Sequence, residues 1–229
     1  MKKLSIIIPA FNEENYISKL LENVHSVDTE KIGFNKEIIV VDDGSTDQTL
    51  KLAWKAASEF PDISVIHQEN QGKGKAVQTG IKKAKGDFVL VQDADLEYDP
   101  KDYVAMLKCL GDSGTSIYGS RILGQIHYFN RRFPFIGRHP EQGIGPWMAG
   151  ALLTLCVIFL YGRWITDTLT AYKIYPIHVI RKMDIITNGF ETDHEITAKL
   201  IKNGIQILEV PIHYQPRTLK EGKKIRMRD

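Results

Sequence analysis

Short apolar runs alternate with segments of helical periodicity along the first two-thirds of the chain, and this alternation restricts the possible folds more than any other feature. The apolar runs predict strands at 4–8, 37–41, 64–67, 87–92 and 116–119. The intervening segments predict helices at 14–27, 46–59, 74–85 and 101–110. Strands that alternate with helices through short links form βαβ units. We therefore predict an α/β fold with a mostly parallel central sheet flanked by helices.

A polar cluster follows each predicted strand. These clusters are NEE at 12–14, DDGSTD at 42–47, QENQGKGK at 68–75, DADLE at 93–97 and SR at 120–121. In parallel sheets the ligand lies outside the carboxyl ends of the strands, where such clusters meet. The sequence therefore predicts one composite binding site at that edge of the sheet.

The last third of the chain has a different pattern. An uncharged segment at 142–162 contains a predicted apolar helix at 147–161, and a helix near 191–202 and a strand near 205–213 follow it. No linker separates the two parts, and 229 residues are enough to bury a substantial core. We predict a single domain over 1–229, with a binding half at 1–122 and a C-terminal elaboration at 123–229.

Composition argues against several classes of protein. A formal net charge of +2 gives no argument for a nucleic-acid partner. The two cysteines, Cys109 and Cys156, have no metal-ligand spacing and indicate a reduced, cytosolic protein. The N-terminal apolar run is too short for a signal peptide and is expected to form the first strand.

Three acidic residues alternate in DADLE, directly after a predicted buried strand. If the strand continues in extended form, Asp93, Asp95 and Glu97 point to one side. Carboxylates placed together repel one another unless a cation lies between them. Their oxygens suit a hard divalent cation, and Mg²⁺ or Mn²⁺ commonly shares its ligands with substrate phosphates. We predict a metal site here, against the alternative of a solvated acidic turn.

Two further clusters have features of a nucleotide site. Asp42 and Asp43 end a predicted strand and could accept hydrogen bonds from a base N–H or from ribose hydroxyls, with helix capping as the alternative. In NQGKGKA, Gly72 and Lys73 begin a helix, where backbone N–H groups, the helix dipole and a lysine together favour a phosphate. The GxxxxGK[ST] spacing of a P-loop is absent from the sequence.

In order along the chain, PAFNEE, VDDGSTD, NQGKGKA, QDADLEYDP, GSR and TDTLTAYK resemble the motifs of the family 2 glycosyltransferases of the GT-A fold. The resemblance covers nearly the whole chain and is greatest to the dolichyl-phosphate (polyprenyl-phosphate) mannose and glucose synthases. It implies a Rossmann-like GT-A sheet and inverting transfer of a hexose from a nucleotide-sugar donor of the GDP-mannose or UDP-glucose type. It also implies Mg²⁺ or Mn²⁺ on the diphosphate, and a polyprenyl phosphate acceptor bound by the C-terminal half.

The resemblance implies roles for individual residues as well. Those expected to contact the donor are Pro9, Phe11, Glu13, Asp42, Asp43, Gly72, Lys73, Asp93, Ala94 and Arg217. Those expected to bind the metal are Asp93, Asp95 and Glu97, of which Asp95 is also expected to be essential for transfer. Further basic residues expected near the phosphates are Arg131, Arg132, Lys223 and Lys224.

Two residues are expected on the acceptor side. The guanidinium of Arg121 suits bidentate binding of the acceptor phosphate, with pairing to an aspartate as the structural alternative. Asp167 would be the general base if the acceptor were a hydroxyl. A lipid phosphate is already ionised, so Asp167 would then position a sugar or cap a helix. Transfer to a sugar or lipid hydroxyl in envelope polysaccharide or glycolipid synthesis is therefore an alternative, and a non-catalytic nucleotide-sugar-binding module is a third interpretation.

The apolar segment permits three arrangements. Its 21 uncharged residues approach the length of a transmembrane helix. However, glycines and a proline limit the dense apolar part to about 22 Å of helix at ~1.5 Å per residue. Crossing a bilayer would also place TDTLTAYK on the opposite side from DADLE. We therefore expect a peripheral protein at the cytoplasmic face of a membrane, with this helix in the interface rather than in the core, and no transmembrane span.

Overall fold

The computed structural model describes residues 1–111, 114–130, 138–139, 144–189 and 191–217. The strands are β1 Lys2–Ala10, β2 Phe34–Asp43, β3 Ile63–Gln68, β4 Phe88–Val91, β5 Thr115–Ser120, β6 Lys173–Pro176 and β7 Gln206–Pro211. The helices are α1 Ile17–Ser26, α2 Thr49–Glu59, α3 Lys73–Lys83, α4 Asp102–Lys108, α5 Arg121–Phe129, α6 Ile144–Tyr161, α7 Ile177–Ile180 and α8 Thr192–Lys202.

The described strands form one sheet in the order β3-β2-β1-β4-β6-β5-β7. The strands β1 to β4 pair in parallel with one another, and β5 pairs in parallel with β7. Only the short strand β6, among those described, runs antiparallel, between β4 and β5. The predicted α/β fold with a mostly parallel sheet is therefore confirmed, and each of the five strands predicted in the first two-thirds is present.

The sequence analysis did not predict three of these elements, β6, α5 and the short helix α7. Strand β6 has only four residues, all buried, and lies within the TDTLTAYK segment and the residues after it. Helix α5 begins at Arg121, directly after β5, with no intervening loop. The hydroxyl of Ser120 accepts a hydrogen bond from the backbone N–H of Leu123 at 3.0 Å and so caps this helix. Because the helix follows the strand directly, the sequence has no turn residues between them, and these are the usual signal that one element ends and another begins.

The core has two parts, one on each face of the sheet. Ile6 and Ile8 of β1 pack in the cluster that contains the buried side chains of α1, whereas Ile7 packs with those of α3. Because β1 is covered on both faces, its sequence is a continuous apolar run and does not alternate. Helix α3 approaches β1 closely at Gly80, where a Cβ atom would lie 2.4 Å from Cγ2 of Ile7.

Most of helix α6 lies outside the core, which it joins through Val157. Among its described side chains only Val157 is buried, whereas Phe159 is 90% exposed and Leu152 is 62% exposed. Its 18 residues give a length of about 27 Å at ~1.5 Å per residue. Within the described ranges, no helix combines the length and the hydropathy needed to cross a membrane. The interpretation of this segment as a core helix is therefore wrong.

Candidate active site

The polar clusters meet at the carboxyl edge of the sheet, as predicted. The turn after β1 is joined to the DDGSTD segment after β2, because the backbone N–H of Asn12 donates to Ser45 Oγ at 3.0 Å. In return, the Asn12 side chain accepts a hydrogen bond from the N–H of Thr46 at 2.8 Å. Asn12 has a positive φ of 52° and lies well before the first residue of α1. Asn12 therefore connects two loops of the site and does not begin the helix.

The DADLE segment is a turn and not an extended continuation of β4. Leu96 has a left-handed φ of 59°, which costs a non-glycine residue about 1–2 kcal/mol. The three carboxylates are therefore not spaced as they would be along an extended strand. Asp93 instead contacts Lys73, with 2.6 Å between Oδ1 and Nζ, while Asp95 and Glu97 contact Arg217.

The guanidinium of Arg217 lies among three carboxylates. Its Nη2 is 2.9 Å from Asp95 Oδ2, its Nη1 is 3.2 Å from Glu13 Oε2, and its Nε is 3.5 Å from Glu97 Oε1. The side chain of Arg217 is only 11% exposed. We call Glu13, Asp93, Asp95 and Glu97 the acidic cluster. Two residues that the sequence assigned to different roles, Glu13 to the nucleotide and Asp95 to the metal, thus share one cation.

The residues 214–217 form a strap that is fastened to Glu97. The hydroxyl of Tyr214 donates to Glu97 Oε2 at 2.9 Å, and the backbone N–H of Arg217 donates to Oε1 at 3.0 Å. The backbone N–H of Gln215 donates to the carbonyl oxygen of Glu97 at 2.9 Å. Both carboxylate oxygens of Glu97 are therefore already occupied by the strap.

The carboxylates of the site raise the pKa values of both Asp95 and Lys73. Burial, together with the carboxylates of Asp93 and Glu97, raises the pKa of Asp95 to about 7. Burial would lower the pKa of Lys73, but the carboxylates of Asp93 and Asp193 hold it above its ordinary value. Lys73 is therefore a permanent cation near neutral pH, and the acidic cluster needs positive charge nearby.

The acidic cluster fits a divalent cation by its chemistry, but not in the observed arrangement. Among the residues that the structure describes, no three His, Cys, Asp or Glu side chains are placed so that they could hold a metal ion. The cluster does hold two cationic side chains, Lys73 and Arg217, and its carboxylate oxygens are the ligands that Mg²⁺ and Mn²⁺ prefer. Binding at Asp93, Asp95 and Glu97 would thus require these side chains to rearrange.

The two aspartates after β2 face the protein. Asp42 is 0% exposed, and its Oδ2 lies 2.8 Å from Nδ1 of His67, its register partner on β3. Asp43 accepts the backbone N–H groups of Gln71 at 3.0 Å and Gly72 at 2.8 Å. Asp43 thus holds the loop that leads to Lys73, and Asp42 orients the half-exposed His67. Sequence analysis did not identify His67, because its pairing with Asp42 depends on the register of two strands.

The start of α3 is held against the segment before α8. Gly72 has a φ of +96°, and a Cβ atom there would lie 2.7 Å from the carbonyl oxygen of Asn188. That carbonyl accepts the backbone N–H of Lys75 at 3.1 Å. Next to this contact, Lys173 is fully buried, with its Nζ 3.1 Å from Oδ1 of Asp193. This buried ion pair, which the sequence did not predict, lies beside Lys73.

Arg121 and Asp167, the two residues expected on the acceptor side, are paired with each other. Nε and Nη2 of Arg121 donate to the two oxygens of Asp167 at 2.7 and 2.8 Å, and the backbone N–H of Arg121 donates to Oδ2 at 3.0 Å. Burial would raise the pKa of Asp167, but Arg121 holds it below its ordinary value. The Arg121 guanidinium also lies 5.0 Å from the centre of the Tyr214 ring, so it adjoins the strap.

The remaining predicted residues have less distinctive surroundings. Phe11 is partly exposed at the end of β1, and Ala94 is buried in the turn after β4. Arg131, Arg132, Lys223 and Lys224 lie outside the described residues.

Comparison with known proteins identifies the family. Residues 5–149 match the family model described as glycosyl transferase family 2. The chain belongs to this family. A dolichyl-phosphate beta-glucosyltransferase of Trichomonas vaginalis is 38% identical, over 92% of this chain and 65% of that protein. A dolichol-phosphate mannosyltransferase of Pyrococcus furiosus is 28% identical, over 96% of this chain and 59% of that protein.

A solved structure supports the fold. Glucosyl-3-phosphoglycerate synthase from Mycobacterium tuberculosis, in complex with Mn²⁺, UDP and phosphoglyceric acid, matches with a TM-score of 0.65 at 19% identity, over 96% of this chain and 73% of that one. The predictions of a GT-A fold and of a family 2 glycosyltransferase are therefore confirmed.

Proposed function

We propose that this glycosyltransferase moves a hexose from a GDP- or UDP-sugar to a polyprenyl phosphate, in a metal-dependent reaction that inverts the anomeric carbon. The observation that carries the proposal is the convergence of Lys73 and Arg217 on the acidic cluster, at the same sheet edge as Arg121. The names of the two dolichyl-phosphate relatives support the acceptor, and the Mn²⁺ and UDP of the structural relative support the donor class and the cation.

The donor would lie along the ends of β1 to β4. The partly exposed ring of Phe11, next to Pro9, offers an apolar surface for the base. The ammonium of Lys73 and the guanidinium of Arg217 would neutralise the departing diphosphate, because both are already cations in the observed site. A divalent cation bound at Asp93, Asp95 and Glu97 would supply further neutralisation of the leaving group.

The acceptor phosphate would bind at Arg121. Asp167 occupies Nε and Nη2 of its guanidinium and so fixes the orientation of the plane. Nη1 of Arg121 makes no hydrogen bond to the residues that the structure describes, and it can donate to a phosphate oxygen. Attack by that phosphate from the face opposite the diphosphate is a single in-line displacement, which inverts the anomeric carbon.

Transfer to a hydroxyl, with Asp167 as general base, is less well supported. Both oxygens of Asp167 accept hydrogen bonds from Arg121, and the pKa of Asp167 lies below its ordinary value. A general base should instead have a free oxygen and a pKa near the working pH. The arrangement favours Asp167 as a positioning residue for Arg121.

Helix α6 supports peripheral contact with a membrane. Its exposed side chains include Met148, Leu152, Leu155, Phe159 and Leu160. An apolar surface of this kind is expected to enter the headgroup region of a bilayer, where a polyprenyl phosphate would also be found.

A donor and acceptor screen tests the proposal. The purified protein is incubated with GDP-mannose or UDP-glucose and Mn²⁺ or Mg²⁺, with and without a polyprenyl phosphate in detergent or vesicles. We expect sugar in an organic-extractable product that is labile to mild acid and whose formation stops with a chelator. Hydrolysis of donor that is unaffected by the lipid, or transfer only to added sugar hydroxyls, would contradict the proposed acceptor.

A further inference from the structure

The strap places the positive charge of Arg217 where a divalent cation would be needed. All three carboxylates that contact its guanidinium belong to the acidic cluster, and two of them, Asp95 and Glu97, are predicted metal ligands. A metal ion that approached these oxygens would meet a cation within a few ångströms. It would also find both oxygens of Glu97 occupied by the strap.

We propose that Arg217 is an exchangeable counter-cation: it occupies the acidic cluster in the free enzyme and transfers to the donor diphosphate when metal and nucleotide bind. The part of the proposal that concerns the nucleotide rests on the proposed function. The part that concerns binding of the metal alone does not. Arg217 thereby makes the affinity for the metal depend on the nucleotide, and it discourages binding of the metal alone.

The charges of the site explain why the exchange is favoured only with both ligands. The acidic cluster has four carboxylates, and Lys73 and Arg217 lie against them. With Arg217 in place, a divalent cation is repelled at short range, where the effective dielectric is well below that of water. A diphosphate supplies a new anionic partner for the guanidinium when Arg217 leaves the carboxylates.

The strap has the construction that such an exchange requires. The Tyr214 hydroxyl and the backbone N–H of Arg217 both donate to the side chain of Glu97, and the Arg217 guanidinium, which also contacts Glu13 and Asp95, lies 5.0 Å from the Tyr16 ring. If Glu97 turns toward a metal ion, the bonds from Tyr214 and from the backbone N–H of Arg217 are lost together. Ligation by Glu97 and the loss of these two bonds are therefore the same event.

Binding of Mn²⁺, measured by the electron paramagnetic resonance of the free ion, tests the proposal with no turnover. Arg217→Gln removes the guanidinium charge, and Arg163→Gln, at an exposed position, is the matched control. Without nucleotide, we expect Arg217→Gln to bind Mn²⁺ about tenfold more tightly than the wild type, and Arg163→Gln to bind as the wild type does. Arg217→Lys, which keeps the charge, should stay close to the wild type.

Addition of UDP or GDP should then change Mn²⁺ binding differently in the wild type and in Arg217→Gln. We expect the nucleotide to tighten Mn²⁺ binding to the wild type by about tenfold or more, and to Arg217→Gln by much less, because coupling between two ligands is reciprocal. A residue that only held the fold together would weaken Mn²⁺ binding when removed. If Arg217→Gln binds Mn²⁺ alone no more tightly than the wild type, the proposal is wrong.

Hydrogen exchange of the wild-type protein gives a second test that needs no variant. We expect the amide of residue 217 to exchange faster when Mn²⁺ and nucleotide are both present, since its acceptor is a carboxylate oxygen of Glu97, whereas the amide of residue 215 donates to the backbone carbonyl of Glu97 and is the internal reference. Unchanged protection at saturating ligand would overturn the exchange. If neither UDP nor GDP affects Mn²⁺ binding by the wild type, the proposed donor class fails, whereas the metal-only comparison still decides the role of Arg217.

Discussion

The pair formed by Arg121 and Asp167 predicts a specific result for a double-mutant cycle. Asp167→Asn keeps the size of the side chain but removes the charge that faces Arg121 Nε and Nη2. Loss of one partner of a buried pair costs about 3–5 kcal/mol. Because Arg121 keeps 21% exposure and can be hydrated, we expect a loss below this range, about 2–3 kcal/mol. For a chain of this size, that corresponds to a decrease of roughly 5–10 °C in Tm.

The double variant measures the interaction energy between the two side chains, apart from the contribution of each side chain alone. Arg121→Gln should also destabilise, because it leaves the Asp167 carboxylate buried. Arg121→Gln combined with Asp167→Asn leaves no unpaired charge, so its loss of stability should be about 2 kcal/mol smaller than the sum of the single losses. Urea unfolding followed by tryptophan fluorescence measures all four proteins. Additivity within about 0.5 kcal/mol would refute the energetic coupling of the pair.

The same variants distinguish a positioning residue from a base. If Asp167 orients Arg121, Asp167→Asn should raise KM for the lipid phosphate, leave the affinity for the nucleotide-sugar unchanged, and leave the pH dependence of kcat unchanged. If Asp167 were a general base, kcat itself would fall and the acidic limb of its pH profile would disappear. The second result would favour a hydroxyl acceptor.

Three other perturbations have expected outcomes. Phe159→Asp together with Leu155→Asp should reduce cosedimentation with anionic lipid vesicles at least several-fold without a change in Tm, because both side chains are exposed; equal cosedimentation would argue against α6 as the contact. Glu195 accepts hydrogen bonds from Thr187 and Lys199, and its pKa is lowered to about 2, so Glu195→Gln should lose about 1–3 kcal/mol at pH 7. A carboxylate whose pKa is lowered by folding stabilises the folded state at pH values above its unfolded pKa. The difference in unfolding free energy between the wild type and Glu195→Gln should therefore shrink as the pH falls from about 4.5 toward 2. A difference in urea unfolding that does not depend on pH would contradict the assignment. Gly124→Ala should destabilise by about 1–3 kcal/mol or more, because its Cβ would lie 1.9 Å from the carbonyl oxygen of Ile212, whereas the control Gly111→Ala meets no atom within 4 Å and should be neutral in thermal unfolding.

Local patterns determined the fold class and the edge of the sheet that carries the site. The apolar run of β1 and the helical periodicity of α2 and α3 depend on residues that are near in sequence, and the structure has all three close to their predicted bounds. The order of the motifs was enough to indicate the family, which the comparison confirmed. Lys73 and Asp93 could be assigned to one site because parallel strands end at a common edge.

Tertiary structure alone decided which charges neutralise one another. Arg217 lies 122 residues from Asp95 in sequence, and Arg121 lies 46 residues from Asp167, so neither pair has a periodic signal. The turn at Leu96 is set by the packing of DADLE and not by a glycine, and the burial of Asp42 depends on the register between β2 and β3. Sequence showed which ionisable groups reach the site. Only the folded chain showed that lysine and arginine side chains already contact the carboxylates predicted to bind metal, because contacts between distant residues depend on the tertiary arrangement of the sheet and its loops.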